Sequence, residues 1–211
     1  MRIENAKGKP ILMKMVSAIQ DNKAYLCEID GLIGDGDHGA NMNKGFTKFA
    51  ARIQDKELSF TDGLDELGDL LFDEIGGSMG PIYGTLFNSM ASAGSFEYIG
   101  TKELAEIFQA GLSGLQEIVD AKVGDKTLID TLSPAVNAMN KAASDNLELS
   151  ESLPALMLAA EVGCNSTKDL VARHGRSARL GERSAGVLDA GAVSCFILIK
   201  AIVEGIQCMN S

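Results

Sequence analysis

Most of this chain is written with a helical period. From about Pro10 to Ile29 the apolar residues Leu12, Met15, Val16, Ile19, Leu26 and Ile29 recur at spacings near three, four and seven, the signature of one buried helix face. The period returns in Met42, Phe46, Phe49 and Ile53, and again in Leu64, Leu67, Leu71 and Ile75 of a helix expected to start near Thr61-Asp62. A fourth helix is expected with Pro81 in its first turn, where a missing N–H costs nothing. A fifth covers roughly Thr101 to Ala121, and two more lie near Leu128 to Ser144 and Leu153 to Leu170, with Pro134 and Pro154 near their starts. The last runs from about Gly191 to Ile206. Eight amphipathic helices with mostly short connections predict an all-α fold in an up-and-down antiparallel arrangement, because a short loop leaves the next helix beside the last and reversed.

Composition supports that class. There is no tryptophan, and Ala, Leu, Met, Glu and Lys are abundant, which favours helix over sheet. With 211 residues, 45% of them hydrophobic, the chain can bury one sizeable core, and residues 1–211 read as a single domain. No run approaches the roughly 18 consecutive apolar residues of a membrane span, and the first residues lack a signal-like pattern, so a cytoplasmic protein with no membrane partner is expected. A net charge of −10 without a long basic run argues against nucleic acid as a partner. The four cysteines, Cys27, Cys164, Cys195 and Cys208, lack metal-site spacing and are expected to be buried, reduced thiols.

One long connection breaks the pattern. Between Ala172 and Ala190 there is no apolar period, but there are several glycines and the arginines Arg173, Arg176, Arg179 and Arg183. Structureless loops of that length in a compact domain are usually functional or disordered, and a functional loop is expected here.

The chemistry concentrates in GLIGDGDHG. Asp30, Asp35 and Asp37 lie close in sequence, separated by glycines and flanked by Ile29 and Leu32-Ile33. Three carboxylates so close repel one another unless a cation sits between them, and all-oxygen ligands select Mg²⁺ or Ca²⁺. A calcium loop starting at Asp35 fails, because Phe46 stands where its glutamate belongs. His38, Gly39 and Asn41 follow at a helix start, where free N–H groups and the positive end of the dipole favour anions. Acids beside an anion site imply magnesium bridging carboxylates to phosphates. Two other loop-to-helix junctions, Gly76 to Pro81 and GDKT at Gly124 to Thr127, are weak signals alone; the second lacks the rest of a Walker pattern. His174 reads as a surface residue, and no general base or nucleophile stands out.

Taken in order, GDGDHGANM, GGSMGPIYG, VGDKTLIDTLSPAV and STKDLVARHGRSARLGERSAG resemble the L subunit of bacterial dihydroxyacetone kinase, which is also the C-terminal nucleotide domain of single-chain dihydroxyacetone kinases. The resemblance implies a barrel of eight antiparallel amphipathic helices with ADP or ATP at one end, and two Mg²⁺ ions on aspartates matching Asp30, Asp35 and Asp37. It places His38, Gly39 and Asn41 at the phosphates and Ser78, Met79 and Gly80 in the nucleotide pocket. Thr127, Leu128, Arg176 and the Asp189-Ala190-Gly191 turn complete the site, with the arginine loop as cover. It further implies a dihydroxyacetone-binding K subunit as partner, which holds the ketose covalently, and a DhaM-type phosphocarrier that rephosphorylates ADP in place. Rival expectations are an ATP-exchanging subunit acting on dihydroxyacetone or erythrulose, and a regulatory nucleotide- or metal-binding module. The chain departs from the family at Met79, where a hydroxyl residue is commoner, and at Ala190, where the turn usually carries proline, so a looser cover is expected.

Overall fold

In the computed structural model, which describes residues 1–209, the helical runs become α1 (Lys9–Ile33), α2 (His38–Ile53), α3 (Phe60–Glu74), α4 (Met79–Ala91), α5 (Thr101–Ile118), α6 (Ile129–Ser144), α7 (Leu149–Ser166) and α8 (Ala190–Cys208). The all-α expectation holds. One small feature was not anticipated: β1 (Ile3–Glu4) pairs antiparallel with β2 (Tyr98–Ile99) and ties the N-terminal segment to the entrance of α5.

Each helix packs against its successor, and α8 returns to α1, so the order of neighbours closes on itself. The periodic residues face inward. Leu12, Met15, Ile19, Leu26, Phe46, Phe49, Leu64, Leu67 and Phe108 are all buried, and Phe46 meets Phe87 edge to face with centroids 6.3 Å apart. Burying one such side chain contributes roughly 1.5–3 kcal/mol, against at most about 1 kcal/mol for an exposed ion pair such as Arg52–Glu74. The apolar stripes therefore hold the helices together. α8 has a mean hydropathy of 1.6 and the length of a membrane span, but 61% of it is buried, because α1, α6 and α7 enclose it.

Several boundaries move for identifiable reasons. α3 starts at Phe60 because the Ser59 hydroxyl accepts the Asp62 N–H at 3.0 Å. α7 starts at Leu149 rather than Leu153, since the Glu151 carboxylate reaches back to the Glu148 N–H at 3.0 Å. Pro154, and likewise Pro134 in α6, consequently lies inside its helix, more than a turn from the start. α7 ends at Ser166, where a 3-10 turn at Thr167–Asp169 takes over, and α5 stops at Ile118. Cys164 and Cys195 are buried as expected, but Cys27 is half-buried and Cys208 is exposed, because it sits at the last position of α8.

The arginine loop is also more ordered than its sequence implies. It contains a 3-10 segment at Ser177–Ser184, interrupted at Gly181. The Ala172 N–H donates to the Ser184 hydroxyl at 2.9 Å and the Gly186 N–H to the Lys168 carbonyl at 2.7 Å, so the excursion is cross-braced.

Candidate functional site

Asp30 lies in the last turn of α1, Asp35 in the following loop, and Asp37 at the N-cap of α2. Their carboxylate oxygens converge, one from each residue, to within 4.8 Å of one another. Asp35 and Asp37 are exposed and Asp30 is half-buried, so the cluster opens to solvent rather than into a closed cavity. A separate groove of about 400 Å³ between α1, the end of α7 and α8, lined by Tyr25, Asn165, Phe196 and Lys200, includes none of the three. One hard oxygen donor from each of three neighbouring acids suits Mg²⁺, which typically takes one or two carboxylates and fills its remaining positions with water or phosphate.

Arg176 reaches across from the arginine loop and pairs with Asp35. The loop thereby reaches the acid cluster through one solvent-facing ion pair. Arg173 and His174 engage Asp125 instead, at 3.3 Å each, and bind the loop to the GDKT turn. His174 is exposed, in keeping with a surface role. The Asp125 carboxyl is held below its ordinary value, first by the Lys122 N–H and then by His174 and Arg173.

The helix starts differ in how their N–H groups are met. On the opposite side α3 is capped by Ser59, the N-cap N–H groups of α7 and α5, those of Glu148 and Gly100, are taken by Glu151 and Glu103 at 3.0 and 2.8 Å, and α1 has no side-chain cap at Gly8. α2, α4 and α6 have no side-chain cap at Asp37, Ser78 or Leu128, although the first N–H of α2, that of His38, donates to Asp30 at 3.3 Å and the first of α6, that of Ile129, to the Thr127 hydroxyl at 3.2 Å. Uncapped first-turn N–H groups are the donors that a phosphate uses. α8 is the exception on this side, with Asp189 accepting the Ala192 N–H at 2.8 Å.

A buried chain of polar contacts joins three of these starts. His38 Nε2 lies 2.8 Å from the Ser194 hydroxyl, which is 2.7 Å from the Tyr83 hydroxyl, and Tyr83 donates to the Gly191 carbonyl at 3.3 Å. Burial lowers the pKa of His38 against the opposing pull of Asp30 and Asp37. Gly191 in turn lies against Leu128, since a side-chain carbon at 191 would come 3.6 Å from the Leu128 nitrogen. Met79, buried at the first position of α4, stands one turn before Tyr83 on the same helix face.

The structure thus gathers Asp30, Asp35, Asp37, His38, Leu128, Arg176, Asp189, Ala190 and Gly191. Thr127 stands next to Leu128 with its N–H donating to Asp130 at 2.8 Å, and Asn41 lies in the first turn of α2, its N–H donating to the Asp37 carbonyl at 2.9 Å. Ser78 is exposed and makes no cap bond. Gly39 and Gly80 have a packing reason for lacking a side chain. A Cβ at 39 would stand 2.1 Å from the Lys23 carbonyl oxygen of α1, and one at 80 would stand 2.0 Å from the Ile75 carbonyl oxygen. Sequence reasoning passed over Tyr83, Ser194, Asp130 and Lys126. The buried Asp130 fastens the GDKT turn, accepting Gly124 N–H at 2.6 Å as well as Thr127 N–H. Only the polar interruption of an apolar period marks such residues in sequence.

Burial pushes the Asp189 carboxyl up to about 6, against the Ala192 N–H and Lys126, which favour its ionised form. The folded state then holds this proton more tightly than the unfolded state, so the stability it contributes is present below the ordinary value near 3.8 and is lost as pH rises through about 6. Asp189→Asn retains an oxygen for the cap and removes the titration. Chemical denaturation from about pH 4 to pH 7 should show parent stability falling relative to the variant across that window; a constant difference would refute the assignment.

Residues 32–204 match the DAK2 domain family. The chain is 36% identical to the protein of Listeria innocua described as PEP-dependent dihydroxyacetone kinase 1, ADP-binding subunit DhaL, covering 88% of this chain and 89% of that one. It is also 36% identical to the corresponding ADP-binding subunit DhaL of Escherichia coli, covering 84% and 86%. The L-erythrulose 1-kinase of Mycolicibacterium smegmatis is 33% identical over 87% of this chain, which spans 33% of that longer protein. Among solved structures, the dihydroxyacetone kinase from C. freundii in complex with AMP-PNP and Mg²⁺ superposes with a TM-score of 0.73 at 22% identity, over 97% of this chain and 34% of that one, a likeness of fold. With the family match spanning most of its length and DhaL subunits similar nearly end to end, the chain belongs to the DAK2 domain family.

Proposed function

We propose that this chain is the nucleotide-binding subunit of a dihydroxyacetone-type kinase, and that it presents the terminal phosphate of a bound nucleotide to a ketose held on a separate K subunit. The observation that carries the reading is the convergence of Asp30, Asp35 and Asp37 beside the starts of α2 and α4, where neither Asp37 nor Ser78 makes a capping bond. The names of the 36% identical relatives, both ADP-binding subunits, support it.

In this reading the three aspartates hold two Mg²⁺ ions. When bound, Mg²⁺ neutralises phosphate charge and aligns the terminal phosphate for transfer. The first-turn N–H groups of α2 and α4 receive phosphate oxygens, and Arg176 adds a guanidinium from above. Phosphoryl transfer asks mainly for alignment and charge neutralisation, which these groups supply. The chain has two histidines, and both are engaged, His38 with Ser194 and His174 with Asp125. Neither is left without a partner on this chain, which supports placing the tasks of carrying the ketose and deprotonating its hydroxyl on a partner subunit.

A phosphoenolpyruvate-dependent system is in keeping with the names of these relatives, and in our reading ADP is retained and rephosphorylated in place by a DhaM-type phosphocarrier. Native mass spectrometry of the purified chain, with and without added ATP, tests this. ADP with two magnesium ions should travel with the protein. A nucleotide-free protein that exchanges added ATP rapidly would replace the retained-ADP reading with the ATP-exchanging one.

A further inference from the structure

The GDKT turn contains a lysine that the site described above does not use. Lys126 is 1% exposed, and its backbone has φ of +63°, a left-handed conformation that residues other than glycine, asparagine and aspartate rarely adopt. Its ammonium donates to two main-chain carbonyls, those of Thr167 and Val187. These two residues are the two ends of the arginine-bearing cover: Thr167 begins where α7 stops, and Val187 stands just before the Asp189 cap of α8. The Thr167 hydroxyl adds a third link, accepting the Asp189 N–H at 3.1 Å. Asp130 holds the turn that carries Lys126 in its unusual shape, through the N–H groups on either side, Gly124 and Thr127.

A lysine in a glycine-preceded turn at a helix start invites assignment as a phosphate ligand. Here the ammonium is enclosed and committed to carbonyls, so its charge does another job. We propose that Lys126 is a positioning residue, a clasp that draws together the two ends of the cover formed by residues 167–189 and keeps Arg176 seated over the acid cluster. Without it, the half-buried Val187 carbonyl loses this donor, the buried Thr167 carbonyl keeps only the Leu170 N–H at 3.3 Å, and the two ends of the cover lose their shared bond from the GDKT turn. The cover then opens as a unit, and an anion beneath it leaves faster. The part concerning nucleotide release rests on the function proposed above; the part concerning the cover does not.

The full-length chain carrying Lys126→Met, which keeps an unbranched side chain one atom shorter and removes its donors, is compared with Lys126→Arg, which retains charge and donors. Lys126→Gln serves as a milder neutral variant. Hydrogen exchange without nucleotide should show amides of residues 167–189 exchanging roughly tenfold faster or more in Lys126→Met, while amides of α1 to α5 and the far-ultraviolet circular dichroism are unchanged. Release of a fluorescent ADP analogue in the presence of Mg²⁺ should accelerate by a similar factor, and Lys126→Arg should recover part of both effects. Exchange that is unchanged in the cover, or that rises together in every helix of both neutral variants, would overturn the clasp. If the parent chain binds no nucleotide, the function proposed above fails, and the exchange comparison still decides the role of Lys126.

Discussion

Asp35→Ala abolishes magnesium-dependent nucleotide binding, and with it phosphoryl transfer in the presence of the partner subunit, while leaving the helices intact. The side chain is exposed and contributes nothing to the core, and its one ion pair, with Arg176, is itself solvent-facing and therefore worth little. Its removal also relieves repulsion within a cluster whose oxygens lie within 4.8 Å of one another. Without Mg²⁺ the variant should thus melt no lower than the parent.

With Mg²⁺ and nucleotide the order reverses. Loss of a group that merely orients a metal ligand weakens metal affinity by roughly 10- to 100-fold, so loss of a ligand should cost at least about 100-fold. At a ligand concentration about 100 times the parent's Kd, binding stabilises the parent by about 2.7 kcal/mol, and a site weakened 100-fold retains about 0.4 kcal/mol. Thermal melts with and without Mg²⁺ and ADP read that difference directly, with Asp55→Ala, an exposed acid elsewhere, as control. Undiminished Mg²⁺-dependent stabilisation in Asp35→Ala would remove the acid cluster from the site.

The acids were legible because their signal is local: three aspartates among glycines, next to a helix start, concentrate negative charge that a bound cation would relieve. The helix class was legible for a similar reason, since Leu12, Met15, Ile19 and their counterparts report a buried face through spacing alone. What connects the parts of the site was not. Ser194 meets both His38 and Tyr83 across distances of more than 100 residues in sequence, and no period records such a pairing. The arginine loop looked shapeless because its order comes from bonds to other segments: Arg173 to Asp125, Ala172 to Ser184, and Lys126 to both of its ends. The expected loosening at Ala190 meets the same bonds. Ala190 is the first residue of α8, where proline would only have fixed φ, and Asp189, Thr167 and Lys126 already hold the turn.

Gly39 shows where a role at the phosphates and a role in packing part company, and Gly39→Ala separates them. The added Cβ would meet the Lys23 carbonyl oxygen at 2.1 Å, the Cys27 nitrogen at 2.8 Å and Leu26 Cβ at 2.9 Å. The first two are backbone atoms of α1 and cannot swing aside, so α2 must move away from α1. Overpacking of this kind costs about 3 kcal/mol when backbone must shift, while replacing a helical glycine by alanine returns up to about 1 kcal/mol. A net loss near 2 kcal/mol should lower the melting temperature by roughly 4–8 °C for a chain of this size. The loss should already be present without ligand. Because Asp30 sits on α1 and Asp37 begins α2, the same displacement parts the carboxylates and weakens Mg²⁺-dependent nucleotide binding as well. A glycine needed only for phosphate approach would give the other result, with ligand-free melting unchanged and affinity reduced, and that outcome would place the Gly39 backbone against the nucleotide.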